Sequence, residues 1–571
     1  VKLKLILIAA SLLMSFPHVL ARLDGLGLST ALAGYLVLYS TLCVALLAAA
    51  RVAWSPLRWM LALVFASGSL FAASVASAMG QELTYDAFTN LWDARGFVSD
   101  AAGQFGSDLL WGGLQGGLLF LGVGLSPRPK IPRDSLLADL IPAVALVAMS
   151  AMFYVRGGDG GRGLPGAFVA PAYALVLAFD SVRNDPGARQ PVKLAHVKPR
   201  TSGDIVLIVD ESIAAQYLDI NNAGGVYSGL AAKQPNFAIH NFGIASSITH
   251  CSTGSNLTLR FGGTRADYQR INATGPSVWS YAKAAGLPTV YIDAQRTGGV
   301  YQNGMDDAER AAIDQWVQFD KVPVMNRDQA VADRLAELLN DGKPQFILVN
   351  KMGAHFPVQA KYPVNRTRFK PVEPRQQFFG IVEPNVRDTS DVSREEWRLY
   401  RNAYRNVVAW NVGAFFDRLF AATKAAGATI IYTADHGQNL HESGEPGNAT
   451  HCTPEPAIEE GVVPMVVIEG SQDGDIDWQS AALRNHNGTS HYRIFPTLLG
   501  LMGYEPQAVR KAYGDRIDAP TRDKLEFNTL FNARLGREPV WKKVDPAQIK
   551  ALRPDDYERS GPVTIRRNQS N

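Results

Sequence analysis

Thr429-Ile430-Ile431-Tyr432-Thr433 runs directly into Ala434-Asp435-His436-Gly437. Five β-formers predict a short buried strand of the parallel type, and the glycine breaks it at its carboxyl end. In open α/β sheets, ligands gather at that edge. Asp435 and His436 set one hard oxygen donor beside one imidazole, a pairing suited to zinc or manganese. On its own, Asp-His-Gly after a strand is more often a polar turn, so the neighbouring segments decide.

Those segments alternate strand and helix. Strands are expected at 205–209, 289–292, 346–350, 429–433 and 462–468, and helices at 276–285, 306–316, 328–339, 395–425 and 492–502. Strands separated by helices predict an α/β fold with a mostly parallel sheet covered on both faces. Eight of the ten histidines follow residue 239, and their positions matter more than their number. Glu211 follows the first strand, His355 the 346–350 strand, and Asp435 and His436 the 429–433 strand. Three strand ends thus deliver ligand-type side chains to one edge, and His451 follows fifteen residues after His436. In Thr249-His250-Cys251-Ser252-Thr253-Gly254-Ser255-Asn256-Leu257, hydroxyls before a glycine and an apolar residue read as a helix N-terminus. Amides exposed there favour an anion such as phosphate. Beside a metal, a hydroxyl in this cluster becomes a nucleophile for phosphorus.

The first half is of another kind. Five apolar runs, 5–20, 30–50, 57–79, 109–125 and 136–155, approach the roughly 20 residues that a helix needs to cross a bilayer. Lys2 and Lys4, Arg51 and Arg58, and Arg128, Lys130 and Arg133 flank them on one side; Glu82, Asp86, Asp93 and Asp100 face Arg95 alone on the other. The positive-inside rule then puts everything past Gly157 outside the cytoplasm. Tyr85, Phe88, Trp92 and Phe97 read as an interfacial aromatic belt, or as a lipid-facing entrance. Residues 166–179 read as a helix lying in the interface, and 186–201 as an extended basic linker. The expected domains are a transmembrane domain (1–157), an interfacial helix and linker (158–203), a catalytic domain (204–540) and a tail (541–571). The net charge of +3 gives no reason to expect a nucleic-acid partner. Of the three cysteines, Cys43 lies in an apolar run. For Cys251 and Cys452 a disulfide and two free thiols both stay open.

Together these motifs resemble the membrane-anchored phosphoethanolamine transferases of the alkaline phosphatase and sulfatase superfamily. The likeness extends over nearly the whole chain: five spans, an acid-ended strand, Cys-Ser-Thr-Gly-Ser at 251–255, Met-Gly-Ala-His-Phe-Pro at 352–357, Asp-His-Gly, and Ser490-His491-Tyr492-Arg493. The resemblance implies an alkaline-phosphatase-like α/β/α sandwich in the periplasm, anchored in the bacterial inner membrane by multiple spans. It also implies Glu211, Thr253, Asp435 and His436 as zinc ligands and Thr253 as the nucleophile. His355 and His451 would hold the transferred phosphate group, with a second zinc as an option and manganese as an alternative metal. The implied donor is phosphatidylethanolamine, the acceptor a lipid or glycan, and the protein a monomer. Asp210-Glu211-Ser212 and Gly-Ala-His-Phe-Pro depart from the family pattern, Asn411 stands where an acid is common, and several family disulfides cannot form here. A phosphoglycerol transferase of the lipoteichoic-acid-synthase type is the nearest alternative. A sulfatase-like hydrolase is another, although 251–255 lacks the Pro and Arg of a formylglycine context.

Overall fold

The computed structural model describes residues 2–79, 82–93, 106–126, 136–197, 203–296, 305–372, 392–424, 427–444, 447, 449–453, 455–470 and 476–549. The basic loop at 128–133, Arg95, Phe97, Asp100 and the residues beyond 549 therefore lie outside the described part. The chain divides into two compact units, one of Val1–Asp185 with Ala533–Glu538, the other covering most of the chain from Pro186 onward.

The first unit is helical. Its described helices are Lys2–Met14, Phe16–Leu26, Thr30–Arg51, Ser55–Met79, Tyr85–Asp93, Gly106–Gly124, Leu136–Val155 and Gly166–Arg183. Small residues let two of them approach closely: a Cβ on Gly116 would sit 2.8 Å from the Ala66 carbonyl oxygen of the Ser55–Met79 helix. Lys4 donates to the Ala50 and Val123 carbonyls at 2.7 and 3.0 Å, and Arg58 to Val52 and Gly124 at 2.8 and 3.0 Å. These cations thus cap helix C-termini, where carbonyls lack intrahelical donors. The ends expected to be cytoplasmic meet there.

By length and hydropathy, three described helices are able to cross a membrane, or four if Lys2–Met14 and Phe16–Leu26, bent by 56°, count as one span. The five expected runs all fall on helices, but this count differs from five. Gly166–Arg183, expected to lie in the interface, is among the three because its helix continues past Phe179 to 18 residues. Tyr85 and Phe88 are buried, so they belong to this unit's core rather than to an aromatic belt.

The second unit is built on an eight-stranded sheet: β1 (Asp204–Asp210), β2 (Ala238–Ser246), β3 (Thr289–Asp293), β4 (Gln315–Gln318), β5 (Phe346–Asn350), β6 (Ala428–Ala434), β7 (Val462–Glu469) and β8 (Thr489–Ser490). Their order is β4-β3-β5-β1-β6-β7-β2-β8. All pairs are parallel except those of β7, which runs antiparallel to β6 and β2. Every residue of β1, β3, β5 and β6 is buried, as continuous Val/Ile/Leu-rich runs covered on both faces require.

Two expectations change in detail. The helix expected over 306–316 stops at Ala311, and Trp316 belongs to the edge strand β4. The long helix expected over 395–425 is two α-helices, Arg394–Val407 and Phe415–Ala422, joined by a π-helical turn at Val408–Ala414. The segment expected as an extended linker carries no helix over its described residues 186–197, and it is held by hydrogen bonds from Gln190 N to the Thr274 carbonyl and from Val197 N to that of Gly503. A short antiparallel pair, Glu526–Asn528 with Trp541–Lys543, carries the fold past residue 540.

Candidate active site

β3, β5, β1 and β6 lie side by side and parallel, so their carboxyl ends open on one edge. The residues that follow them are Gln295, the loop from Lys351 to His355, Glu211, and Asp435 with His436. The turns are tight. Gly353, at φ +50°, passes so close that a Cβ would lie 2.7 Å from Glu211 N. Asp435 N donates to the Asp210 carbonyl at 2.8 Å, and Ala354 N to that of Glu211 at 2.9 Å.

Glu211, Asp435 and His436 converge: one potential ligand atom of each lies within 4.8 Å of the others, and all three residues are buried. His436 Nδ1 lies 2.8 Å from the Gly437 carbonyl, which accepts from an Nδ1–H. Nε2 is then left facing Glu211 Oε1 at 3.6 Å and Asp435 Oδ2 at 3.7 Å. Asp435 Oδ1 accepts from Ser212 N at 2.9 Å and His436 N at 2.8 Å, whereas Oδ2 is buried without a hydrogen-bond partner.

The electrostatics ask for a cation. Burial, reinforced by the Glu211 charge, pushes the Asp435 carboxyl up to about 7. Burial works against ionisation of Glu211 too, but the nearby His436 and His355 outweigh it and hold the carboxyl low. Burial would lower His436, yet Asp435 and Glu211 raise it to about 9. Two buried carboxylates and one imidazole, with an orphan oxygen turned inward, fit a zinc-type ion.

The hydroxyl that meets this group is that of Ser252. Its Oγ lies 3.1 Å from His436 Nε2 and 3.4 Å from Glu211 Oε1. Ser252 opens the helix Ser252–Phe261, N-capped by Cys251. Thr253, expected as nucleophile and ligand, is exposed one position further on. A residue step turns the side chain by about 100° around a helix axis, so both hydroxyls cannot face the same point. Among the described residues, Thr253 makes no hydrogen bond to the three ligands.

His451 stacks on His436, with ring centroids 4.2 Å apart, and its Nδ1 lies 3.0 Å from Thr450 Oγ1. Burial and the charge of His436 hold its imidazole neutral. His355 is half-buried, with Nδ1 2.7 Å from the Phe356 carbonyl, and stands near enough for its charge to act on Glu211. Cys251 and Cys452 form a disulfide, which ties the residue before Ser252 to the residue after His451. Two supporting residues were not anticipated: Gln295, which donates to Glu211 Oε2 at 3.0 Å, and Lys351, which donates to Asp210 Oδ2 at 2.6 Å. Asn411, on the π-helical turn, donates to the Gly353 carbonyl at 2.6 Å.

The sulfatase family model matches residues 204–504, more than half of the 571-residue chain. The chain belongs to the sulfatase family. Its match covers the sheet and every site residue above. Among solved structures, the integral membrane lipooligosaccharide phosphoethanolamine transferase A of Neisseria meningitidis shares the fold: TM-score 0.59, 16% identity, 90% of this chain and 98% of that one. The C-terminal periplasmic domain of EcEptC from Escherichia coli aligns at TM-score 0.47 and 15% identity, over 63% of this chain and 97% of that one. None of the curated proteins matches the chain in sequence. The family and the architecture, apolar helices followed by a sulfatase-like α/β domain, are those that the sequence motifs led one to expect.

Proposed function

We propose that this sulfatase-family member transfers phosphoethanolamine from phosphatidylethanolamine to a lipid or glycan acceptor at the outer face of the bacterial inner membrane. The observation that carries the reading is the position of Ser252 Oγ, between Glu211 and His436 and at the start of a helix. Glu211, Asp435 and His436 would hold a zinc ion, which when bound supplies charge to lower the hydroxyl pKa and to stabilise the phosphoryl oxygens.

Ser252, rather than Thr253, is then the nucleophile. Its Oγ gives up its proton and forms a bond to phosphorus while the phosphorus–oxygen bond to diacylglycerol breaks, and the leaving alkoxide takes up a proton. The first-turn amides of Ser252–Phe261 face the phosphoryl oxygens, where a helix N-terminus favours negative charge. His355 and His451 are assigned to the transferred phosphate group. An acceptor hydroxyl or phosphate then gives up its proton and attacks the phosphorus of the serine-bound phosphoethanolamine, the bond from Ser252 Oγ to phosphorus breaks, and Oγ takes back a proton. The apolar helices of the first unit would bring the lipid donor within reach.

Hydrolysis by a formylglycine is disfavoured. Cys251 is in a disulfide, and Thr253-Gly254-Ser255-Asn256 lacks the Pro and Arg that conversion of Cys251 or Ser252 requires. Mass spectrometry of lipids and glycans from cells with the active protein and with Ser252→Ala tests the reading. A phosphoethanolamine added to a product only with the active protein supports it; an added phosphoglycerol, or no added group, overturns it.

A further inference from the structure

Glu211 is the candidate ligand with both of its carboxylate oxygens engaged by neighbouring side chains. Oε1 faces the centre: Ser212 Oγ donates to it at 2.8 Å, and Ser252 Oγ and His436 Nε2 lie at 3.4 and 3.6 Å. Oε2 points back and accepts from Gln295 Nε2 at 3.0 Å. The same amide group donates to the Lys351 carbonyl at 2.9 Å, so both of its hydrogens are used. Gln295 is itself fixed. Its backbone N–H donates to Asp293 Oδ1 at 3.0 Å, and its carbonyl accepts from Arg327 Nη1 at 3.2 Å. Asp293 is fully buried, and its Oδ1 also accepts from Asn350 Nδ2 at 3.1 Å. The bracket thus begins at the end of β3 and passes over the end of β5 to reach Glu211 at the end of β1.

We infer that Gln295 is a positioning residue that commits Glu211 to binding the metal through Oε1 alone. A hydrogen bond to a carboxylate oxygen is charge-assisted, and giving it up to chelate through both oxygens would also leave one hydrogen of the half-buried amide without its acceptor. One-oxygen ligation suits a small ion of low coordination number such as zinc. Two-oxygen ligation suits ions that take more oxygens, such as manganese. Gln295 therefore sets which metal the site prefers. This inference rests on the metal reading of Glu211, Asp435 and His436, and not on the identity of the transferred group.

The test uses the full chain in detergent, stripped of metal, with zinc and manganese affinities measured by chelator competition for wild type and Gln295→Leu. Partner groups around a ligand are typically worth 10–100-fold in metal affinity. Gln295→Leu is expected to bind zinc about 10–100-fold more weakly and to lose most of the preference for zinc over manganese. Gln295→Asn, one methylene shorter, is expected to behave like the leucine variant. An unchanged zinc-to-manganese ratio overturns the inference, even with a lower melting temperature, since that pattern marks a merely structural role. Absence of stoichiometric metal binding in wild type overturns the metal reading as well, and the two failures are told apart by wild type alone.

Discussion

Lys351 Nζ donates to Asp210 Oδ2 at 2.6 Å, and neither side chain is exposed to solvent. The ammonium also donates to the Asn411 carbonyl at 2.5 Å and lies 3.7 Å from Asp328 Oδ2. Asp328 in turn accepts from Met352 N and Gly353 N at 2.8 and 3.0 Å. One cation therefore joins the end of β1, the loop that leads to His355 and the π-helical turn, directly behind Glu211. Removing one partner of a buried ion pair leaves an uncompensated charge, at a cost of about 3–5 kcal/mol. Lys351→Met is expected to lose about that much stability in denaturant unfolding, whereas a surface change such as Lys233→Met is expected to lose little.

His436→Ala removes the only imidazole of the buried ligand group, and with it the nitrogen donor among two carboxylates. The variant is expected to lose both metal and transfer activity. Metal content after dialysis, measured by plasma mass spectrometry, checks this. His355→Ala is expected to keep its metal and transfer more slowly, because His355 stands outside that group.

The Cys251–Cys452 disulfide closes a loop spanning a sequence separation of 201 residues and adjoins both Ser252 and His451. Loss of a native disulfide typically costs about 2–5 kcal/mol. The double variant Cys251→Ser/Cys452→Ser is expected to lose stability in that range. It is also expected to transfer more slowly, since the bond ties two parts of the site together. Melting curves and product assays, with wild type treated with a thiol reductant as the comparison, check both outcomes.

Asp204, at the start of β1, accepts from Gln345 N at 3.2 Å, yet burial pushes its carboxyl up to about 7. The folded state then holds a proton that the unfolded chain releases near pH 4. Stability is fully present below that value and declines as pH rises through about 7, because the folded state binds more protons over this window. Asp204→Asn removes the decline. The variant is expected to match wild type near pH 4 and to exceed it at pH 8 by up to about 4 kcal/mol. Urea titrations at both pH values measure the difference.

The sheet was legible where strands are buried on both faces, because Ile205–Val209, Phe346–Asn350 and Thr429–Thr433 are uninterrupted runs of β-formers. β2 was not, since His240, Asn241 and Gly243 break the apolar pattern and the strand carries a bulge between Asn241 and Ile244. β4 is a half-buried edge strand, with too few apolar residues to stand out from the helix before it. Glu211, Asp435 and His436 could be read because each directly follows its strand. The choice between Ser252 and Thr253 depends on where the helix begins, and the start is fixed in part by the bond from Cys251 to the distant Cys452. Gln295 and Lys351 act through strand neighbours rather than sequence neighbours, so no local pattern marks them.

The most direct test of the account is peptide mass spectrometry of full-length protein trapped by rapid acid quench during turnover with phosphatidylethanolamine. Phosphoethanolamine is expected on Ser252, absent in Ser252→Ala and retained in Thr253→Ala. A modification on Thr253, or an unmodified 252–253 segment in protein that is turning over, would contradict it.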